Sequence, residues 1–320
     1  MPAKEAQKDS RHWEAYWRAD AGQNAAVSGD APGDLFDATW VKFFEAAFAG
    51  RSRARLVDIA CGAGVVLDRA VELLKSSACK GASFCGVDYA FSAAAKVNAK
   101  PAPRNASLTG VAASAAQLPF QHGSFDIVVS QFGLEYAGAA AFGEAARVLA
   151  PGGVAQFIIH YRGGGIEREC SANARVLDDV LSTGFFGAGL DAVRGPDHDS
   201  ATAELQKIMT KLSTHLDGEP LAAKQMLSRL LPDMATLVAR RKAYRPADAT
   251  GWVEAMHQEV QRYAGRMNAM TESALDADGV RRAAQLIDDA GAVATEPAPL
   301  VPHGKTAPAA WLLEAARPGR

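Results

Sequence analysis

Short apolar runs and stretches of helical spacing alternate along the first half of the chain. Residues 56–59, 82–88, 107–111, 124–130 and 154–160 are apolar or β-branched runs bounded by glycine, proline and polar residues. Each predicts a strand, and the most continuous of them suit strands buried on both faces, as in a parallel sheet. Between them, residues 66–74 and 141–149 carry apolar side chains at helical spacing, and another helix is expected to start near Ala90. Close to the C-terminus a helical stretch around residues 281–285 leads through Gly291 into two further strand-like runs, 292–296 and 309–315.

Two aromatic stripes precede this alternation. Trp13, Tyr16 and Trp17 fall at i, i+3 and i+4 of a helix that Asp9 and Ser10 can cap. After a loop rich in Gly, Ala and Asp (21–34), Trp40, Phe43, Phe44 and Phe48 make the second stripe. Both stripes can dock on the core, and both can form a lid or one wall of a pocket.

Between Tyr161 and about Gly279 the pattern turns wholly helical. Leu205, Ile208, Met209, Leu212 and Leu216 make one stripe. Met226, Leu227, Leu230, Leu231, Met234, Leu237 and Val238 make a second, and Trp252, Met256, Val260, Tyr263, Met267 and Met270 a third. Such stripes build a helical core, and the Met-rich third one could also line an adaptable apolar pocket. Arg240, Arg241, Lys242 and Arg245 read as a solvated basic face.

The strongest local signal is the turn after the first strand, Asp58-Ile59-Ala60-Cys61-Gly62-Ala63-Gly64. Glycines let the backbone turn tightly and let a ligand come close, and the following helix offers unpaired N–H groups. A dinucleotide turn would place a third glycine where Leu67 stands. Asp58 would repel a pyrophosphate on this turn but suits a ligand with cationic groups. The stretch resembles motif I of the class I S-adenosylmethionine-dependent methyltransferases, with Ala60 in place of the first glycine. Gly86-Val87-Asp88-Tyr89 is similar to that family's second motif. Ala112 to Phe120 resembles its G-D-A-E-x-L-P-F segment, with Ser114 where the family often has Asp. Arg147-Val148-Leu149-Ala150-Pro151-Gly152-Gly153 is very close to its R-V-L-x-P-G-G, and the C-terminal helix and strand pair complete the order.

The resemblance implies a seven-stranded, Rossmann-like α/β sheet, mostly parallel with an antiparallel C-terminal strand, and a helical insertion. The expected division is an N-terminal helical cap (1–50), the cofactor domain (51–163), a helical insertion covering the substrate site (164–279) and a closing helix and hairpin (280–320). It implies S-adenosyl-L-methionine as cofactor, at Asp58, Ala60, Cys61, Gly62, Gly64, Asp88, Tyr89, Ser114, Ala115, Gln131 and Phe132. In it, Asp88 takes the ribose hydroxyls and Tyr89 packs on adenine. Read from the residues alone, capping of the next helix is the lesser alternative for Asp88, and Cys61 is a packing residue rather than a nucleophile.

Methyl transfer needs alignment of nucleophile, methyl carbon and sulfur, and a base only where the nucleophile must lose a proton. His160, just past an apolar strand, is the first choice for that base or else a structural histidine. Glu135 and Tyr136 are the other catalytic choices, with Tyr161 and His257 behind them.

Composition narrows the partners. A net charge of −2 over 320 residues favours neither nucleic acid nor an anionic membrane. Cys61, Cys79, Cys85 and Cys170 lack a paired metal spacing and read as reduced thiols, so no metal is expected. The polar N-terminus and the absence of a long apolar run make a cytoplasmic protein the expectation. The expected acceptor is a partly apolar small molecule, and a homodimer is left open. The alternatives are a catalytically silent methyltransferase-like scaffold and an NAD(P)-dependent oxidoreductase. Asp58 and the missing third glycine speak against the latter.

Overall fold

The computed structural model describes residues 13–18, 33–77, 79, 81–102, 104–195, 197–218 and 221–319. The expected cap at Asp9 and Ser10 and most of the loop 21–34 lie outside them. The chain divides into two compact units, one formed by residues 1–167 and 272–320, the other by Arg168–Thr271. The second unit lies inside the stretch 164–279 expected to be an insertion.

In the first unit the apolar runs become strands β1 (Ala54–Ile59), β2 (Ala82–Asp88), β3 (Ala106–Ala112), β4 (Phe125–Gln131) and β5 (Leu149–His160). Between them lie α3 (Val65–Ser76), α4 (Phe91–Ala99) and α5 (Ala140–Val148); residues 13–18 form α1 and Gly33–Phe48 form α2. Pairing runs β3-β2-β1-β4-β5, all parallel. The chain order therefore reverses between β1 and β4, and in open α/β sheets ligands bind beyond the carboxyl ends of the strands at such a point.

After the second unit, α11 (Ala277–Asp289) returns the chain to β6 (Val293–Ala294), β7 (Ala298–Leu300) and β8 (Ala310–Ala316). Strand β8 runs antiparallel to β5, with β6 and β7 antiparallel to β8. The seven strands expected are thus eight: of the edge strand expected over 292–296 only β6 forms, and after an interruption β7 follows beyond the expected run. Pro297 and Pro299 lie in and beside that interruption, and a residue without an N–H belongs on a sheet edge.

Pro151 and Gly152 bulge out inside β5 instead of preceding it. The register jumps from Phe125↔Leu149 to Ile127↔Val154, and the bulge is closed by Gly152 N–H donating to Arg317 O at 2.9 Å.

One face of the sheet carries Val57, Ile59, Val87, Val128, Phe157, Ile159 and Leu313, buried against Phe142 and Ala145 of α5 and Val280, Ala283 and Ile287 of α11. Along α2, Trp40 stacks on Phe44 and Phe44 on Phe48, and all three are buried. This second stripe is therefore core. At roughly 1.5–3 kcal/mol for each fully buried large side chain, it is a major source of stability.

The second unit contains most of α6 (Gly165–Ser182), then α7 (Phe185–Arg194), α8 (His198–Ser213) and α9 (Ala222–Ala239), and nearly all of α10 (Pro246–Ser273). Its core takes Leu205 and Leu212 of α8, six apolar residues of α9 from Leu227 to Val238, and Val260 of α10. Leu216 is exposed instead, beyond the end of α8. The start of α9 has no cap of its own; the buried Asn173 of α6 accepts the Ala223 N–H at 2.8 Å. Among the described residues, no helix is long and apolar enough to cross a membrane.

Candidate active site

The turn after β1 is tightly wound. Ala60, Gly62 and Gly64 all adopt left-handed backbone, at φ +56°, +53° and +82°. The Ala60 conformation is one that an L side chain pays for. Its methyl group is accommodated because the neighbouring residue across the turn is Gly133, where a Cβ would overlap that of Ala60.

Asp58, one residue before the end of β1, is buried, and neither of its carboxylate oxygens has a hydrogen-bond partner. Burial, reinforced by the Asp88 charge, raises its pKa well above 3.8, with Lys100 opposing. A buried group of this kind calls for a polar or charged neighbour.

Asp88, at the end of β2, accepts the Gly62 N–H at 2.8 Å and the Ala90 N–H at 2.9 Å. Asp88 thus ties the turn after β1 to the residue that precedes α4. Each of its oxygens keeps a lone pair for a further donor. Burial raises its pKa, and the two N–H groups oppose that rise. Tyr89 stands exposed beside it.

The thiol of Cys61 is buried and its pKa is pushed far up by desolvation and by the Asp58 and Asp88 charges, which makes it inert as a nucleophile. Ser114 turns inward on its own loop, with its Oγ accepting the Ala116 N–H at 3.3 Å, while Ala115 is part of the sheet core. That loop is clamped by α5. Glu144 accepts the Leu118 N–H at 2.9 Å, and Arg147 donates to the carbonyls of Phe120 and Leu118 at 2.8 and 3.2 Å. This is the structural purpose of the arginine in the R-V-L-x-P-G-G stretch.

At the end of β5 and just past the end of β4 a second cluster forms. His160 Nδ1 lies 2.7 Å from Glu135 Oε1, which also accepts the His160 backbone N–H at 3.0 Å. Both residues are buried, and His160 Nε2 and Glu135 Oε2 have no hydrogen-bond partner. The Phe132 ring lies against His160 at 4.3 Å, and Tyr136 meets it edge-on at 5.8 Å. Phe132 is also left-handed, at φ +54°, the kind of strain that gathers at functional sites. Gln131 is occupied by the Trp40 indole N–H, which donates to its Oε1 at 2.5 Å. His257 stacks on Phe186 within the helical unit. Tyr161 stacks on Trp311.

The first aromatic stripe lands on the turn. The six-membered ring of Trp17 covers Gly62 so closely that a Cβ there would come within 2.6 Å of its Cη2. Trp13 packs edge-on against Tyr136 at 5.3 Å. Sequence spacing marked these rings as sharing one face but not which surface that face meets.

Residues 57–157 match the family model described as a methyltransferase domain. Over those residues the chain carries a methyltransferase domain. The cofactor of this domain is S-adenosylmethionine. No curated protein matches the chain.

Among solved structures, a chain of the Haloferax volcanii complex containing the Trm112 methyltransferase activator is 12% identical over 96% of this chain and 97% of that one, with a TM-score of 0.44. The S-adenosylmethionine-dependent methyltransferase of Mesorhizobium loti is 23% identical over 38% of this chain and 53% of its own, at 0.30. A Methanosarcina mazei S-adenosylmethionine-dependent methyltransferase is 24% identical over 35% and 55%, at 0.28. The match thus spans little more than half the length of the last two proteins.

The residues of the turn suit the cofactor. The turn's left-handed glycines carry no side chain, the Asp58 carboxyl beside them is unpartnered, and Asp88 keeps lone pairs beyond its two N–H bonds. The Trp17 ring stands on the same turn.

Proposed function

We propose that the chain transfers the methyl group of S-adenosylmethionine to a nucleophilic oxygen, nitrogen or carbon of a partly apolar small molecule, by direct in-line displacement. The cofactor supplies an activated methyl group on a sulfonium. Asp88 would receive the ribose hydroxyls and Tyr89 would face the adenine, with Ser114 and Ala115 near its edge. Ala60, Cys61, Gly62 and Gly64 would line the turn with backbone. Asp58 would answer the cationic methionine end, with Gln131 and Phe132 at the acceptor side.

The observation that carries the acceptor chemistry is the His160–Glu135 pair. With Glu135 ionised, Nδ1 donates its proton to the carboxylate and the lone pair is left on Nε2. That nitrogen can take a proton from an acceptor, and the carboxylate stabilises the imidazolium that results. Phe132 fixes the face of the imidazole and Tyr136 its edge. The aromatic lining of Phe132, Tyr136 and Phe36, together with a net charge near zero, favours a neutral, partly apolar acceptor. The helical unit, which brings a second core of its own, is assigned to selecting that acceptor.

The test is transfer of labelled methyl from S-adenosylmethionine to a panel of phenols, amines and enolisable carbonyl compounds, followed by His160→Ala and Glu135→Gln on the best substrate. A general base contributes roughly 10²–10⁴-fold to turnover. His160→Ala should lose that much in kcat while cofactor affinity stays unchanged, and Glu135→Gln should shift the pH profile. Unchanged kcat at saturating acceptor removes His160 from the mechanism. Cofactor binding without transfer to any acceptor would instead favour the silent scaffold.

A further inference from the structure

The Trp17 ring lies on the turn that the reading above assigns to the cofactor. Gly62 is left-handed and has no side chain, and the indole lies on it. The ring is not there by a single contact. Its helix is latched to α4 by the Ser92 N–H, which donates to Glu14 Oε2 at 3.1 Å, and by the Ser92 hydroxyl, which donates to Glu14 O at 3.2 Å. Tyr16 packs edge-on against Trp17 at 4.9 Å, and Trp13 rests on Tyr136, beside the His160–Glu135 pair. One short helix therefore touches the cofactor turn, the start of α4 and the edge of the catalytic cluster.

We propose that α1 is a self-blocking plug, with Trp17 occupying the cofactor's place on Gly62 until the helix lets go. The proposal rests on the cofactor reading of this turn. Release of the latch makes two things available together, the Gly62 surface and the side of Tyr136 that Trp13 covers. Cofactor entry and opening of the acceptor end are thereby coupled through one element. A ligand that binds only the open form loses affinity in proportion to how rarely that form is populated.

The test is calorimetric titration of the full chain with S-adenosylhomocysteine, for the natural protein, Trp17→Ala, Glu14→Ala and Asp88→Ala. If the open form holds no more than about 10% of the population, removing the ring tightens binding by roughly tenfold or more. Glu14→Ala, which frees the latch but keeps the ring, should move the same way by less. The Trp17 contribution to fluorescence, taken as the difference between the natural protein and Trp17→Ala, should shift to the red when ligand binds. Equal or weaker binding by Trp17→Ala, with an unchanged melting temperature, overturns the plug and makes the ring part of the binding surface. A Trp17 emission unmoved by saturating ligand overturns it as well. Binding by none of the four proteins overturns the cofactor reading itself and the plug with it. Binding by the natural protein that is lost in Asp88→Ala upholds the cofactor reading, so the two failures are told apart.

Discussion

Gly133→Ala should be among the most damaging single-methyl additions in the sheet unit, and Ala60→Gly should rescue it. A Cβ at Gly133 would overlap the Ala60 Cβ and lie 3.2 Å from both the Ala60 carbonyl oxygen and Ser130 Oγ. Carbon atoms are at rest about 3.5–4.0 Å apart, and the Ala60 methyl is anchored to a backbone already at φ +56°. Overpacking of this kind costs about 1–3 kcal/mol, and a rigid backbone neighbour places this site at the upper end. In a domain of this size each kcal/mol moves the melting temperature by roughly 2–4 °C, so a drop on the order of 6–12 °C is expected. Ala60→Gly alone should be nearly neutral. It removes a left-handed penalty of about 1–2 kcal/mol but frees the unfolded chain by about 0.5–1 kcal/mol. In the double variant the methyl–methyl overlap is gone and only the two 3.2 Å contacts remain. The double-mutant cycle should therefore show a favourable coupling of about 1–3 kcal/mol. Thermal and urea unfolding of the four proteins measure it. Additive effects, with the double variant as unstable as Gly133→Ala, would refute the packing argument.

Asp58→Asn should stabilise the free protein increasingly as pH rises. A raised folded-state pKa means that the carboxyl's contribution is fully present below the unfolded value, near 3.8, and is lost as pH climbs through the folded value. Asparagine has no such loss, so the stability difference should grow by up to about 1.4 kcal/mol per pH unit in that window. Melting temperatures from pH 4 to 8 check this, and a difference independent of pH would show that Asp58 is not held neutral. Arg147→Lys should resemble Arg147→Ala rather than the natural protein. The arginine fork reaches Glu144 and two carbonyls at once, and a point-like ammonium cannot. Partial exposure discounts the ion pair, so the loss should be about 1–2 kcal/mol, chiefly from the carbonyl bonds. Faster amide exchange at Leu118 is the local readout, and protection equal to that of the natural protein would refute the clamp.

Much of the sheet could be read from the chain because strand and helix periods alternate cleanly there. Residues 82–88 are assigned to the same bounds by periodicity and by structure, and β3 and β4 agree to within a residue at each end. The edge strand was less legible. Its pairing with β8 is set by partners distant in sequence, and β7, a three-residue piece with Pro299 inside it, has no periodicity that marks it as a strand. Similarly, Pro151 and Gly152 read as a stop between two elements, yet Arg317, far along the chain, supplies the bond that folds them into β5.

The candidate site shows where local reasoning ends. Glu135 and His160 could each be selected from position past a strand, but nothing in either segment says that they meet. They meet because Gln131 and Ile158 are paired in neighbouring parallel strands, so Glu135, just past β4, comes against His160 at the end of β5. The same adjacency explains Ala60. A motif that usually has glycine there reads as weakened when alanine replaces it. In space, the small-residue requirement belongs to the junction between the turn after β1 and the loop after β4, not to position 60. Gly133 supplies the missing space, and the turn keeps its left-handed path with a methyl group in it. A departure from a motif is thus judged by the volume of the residues that face it, and for a βα turn those residues lie on the neighbouring strand's loop.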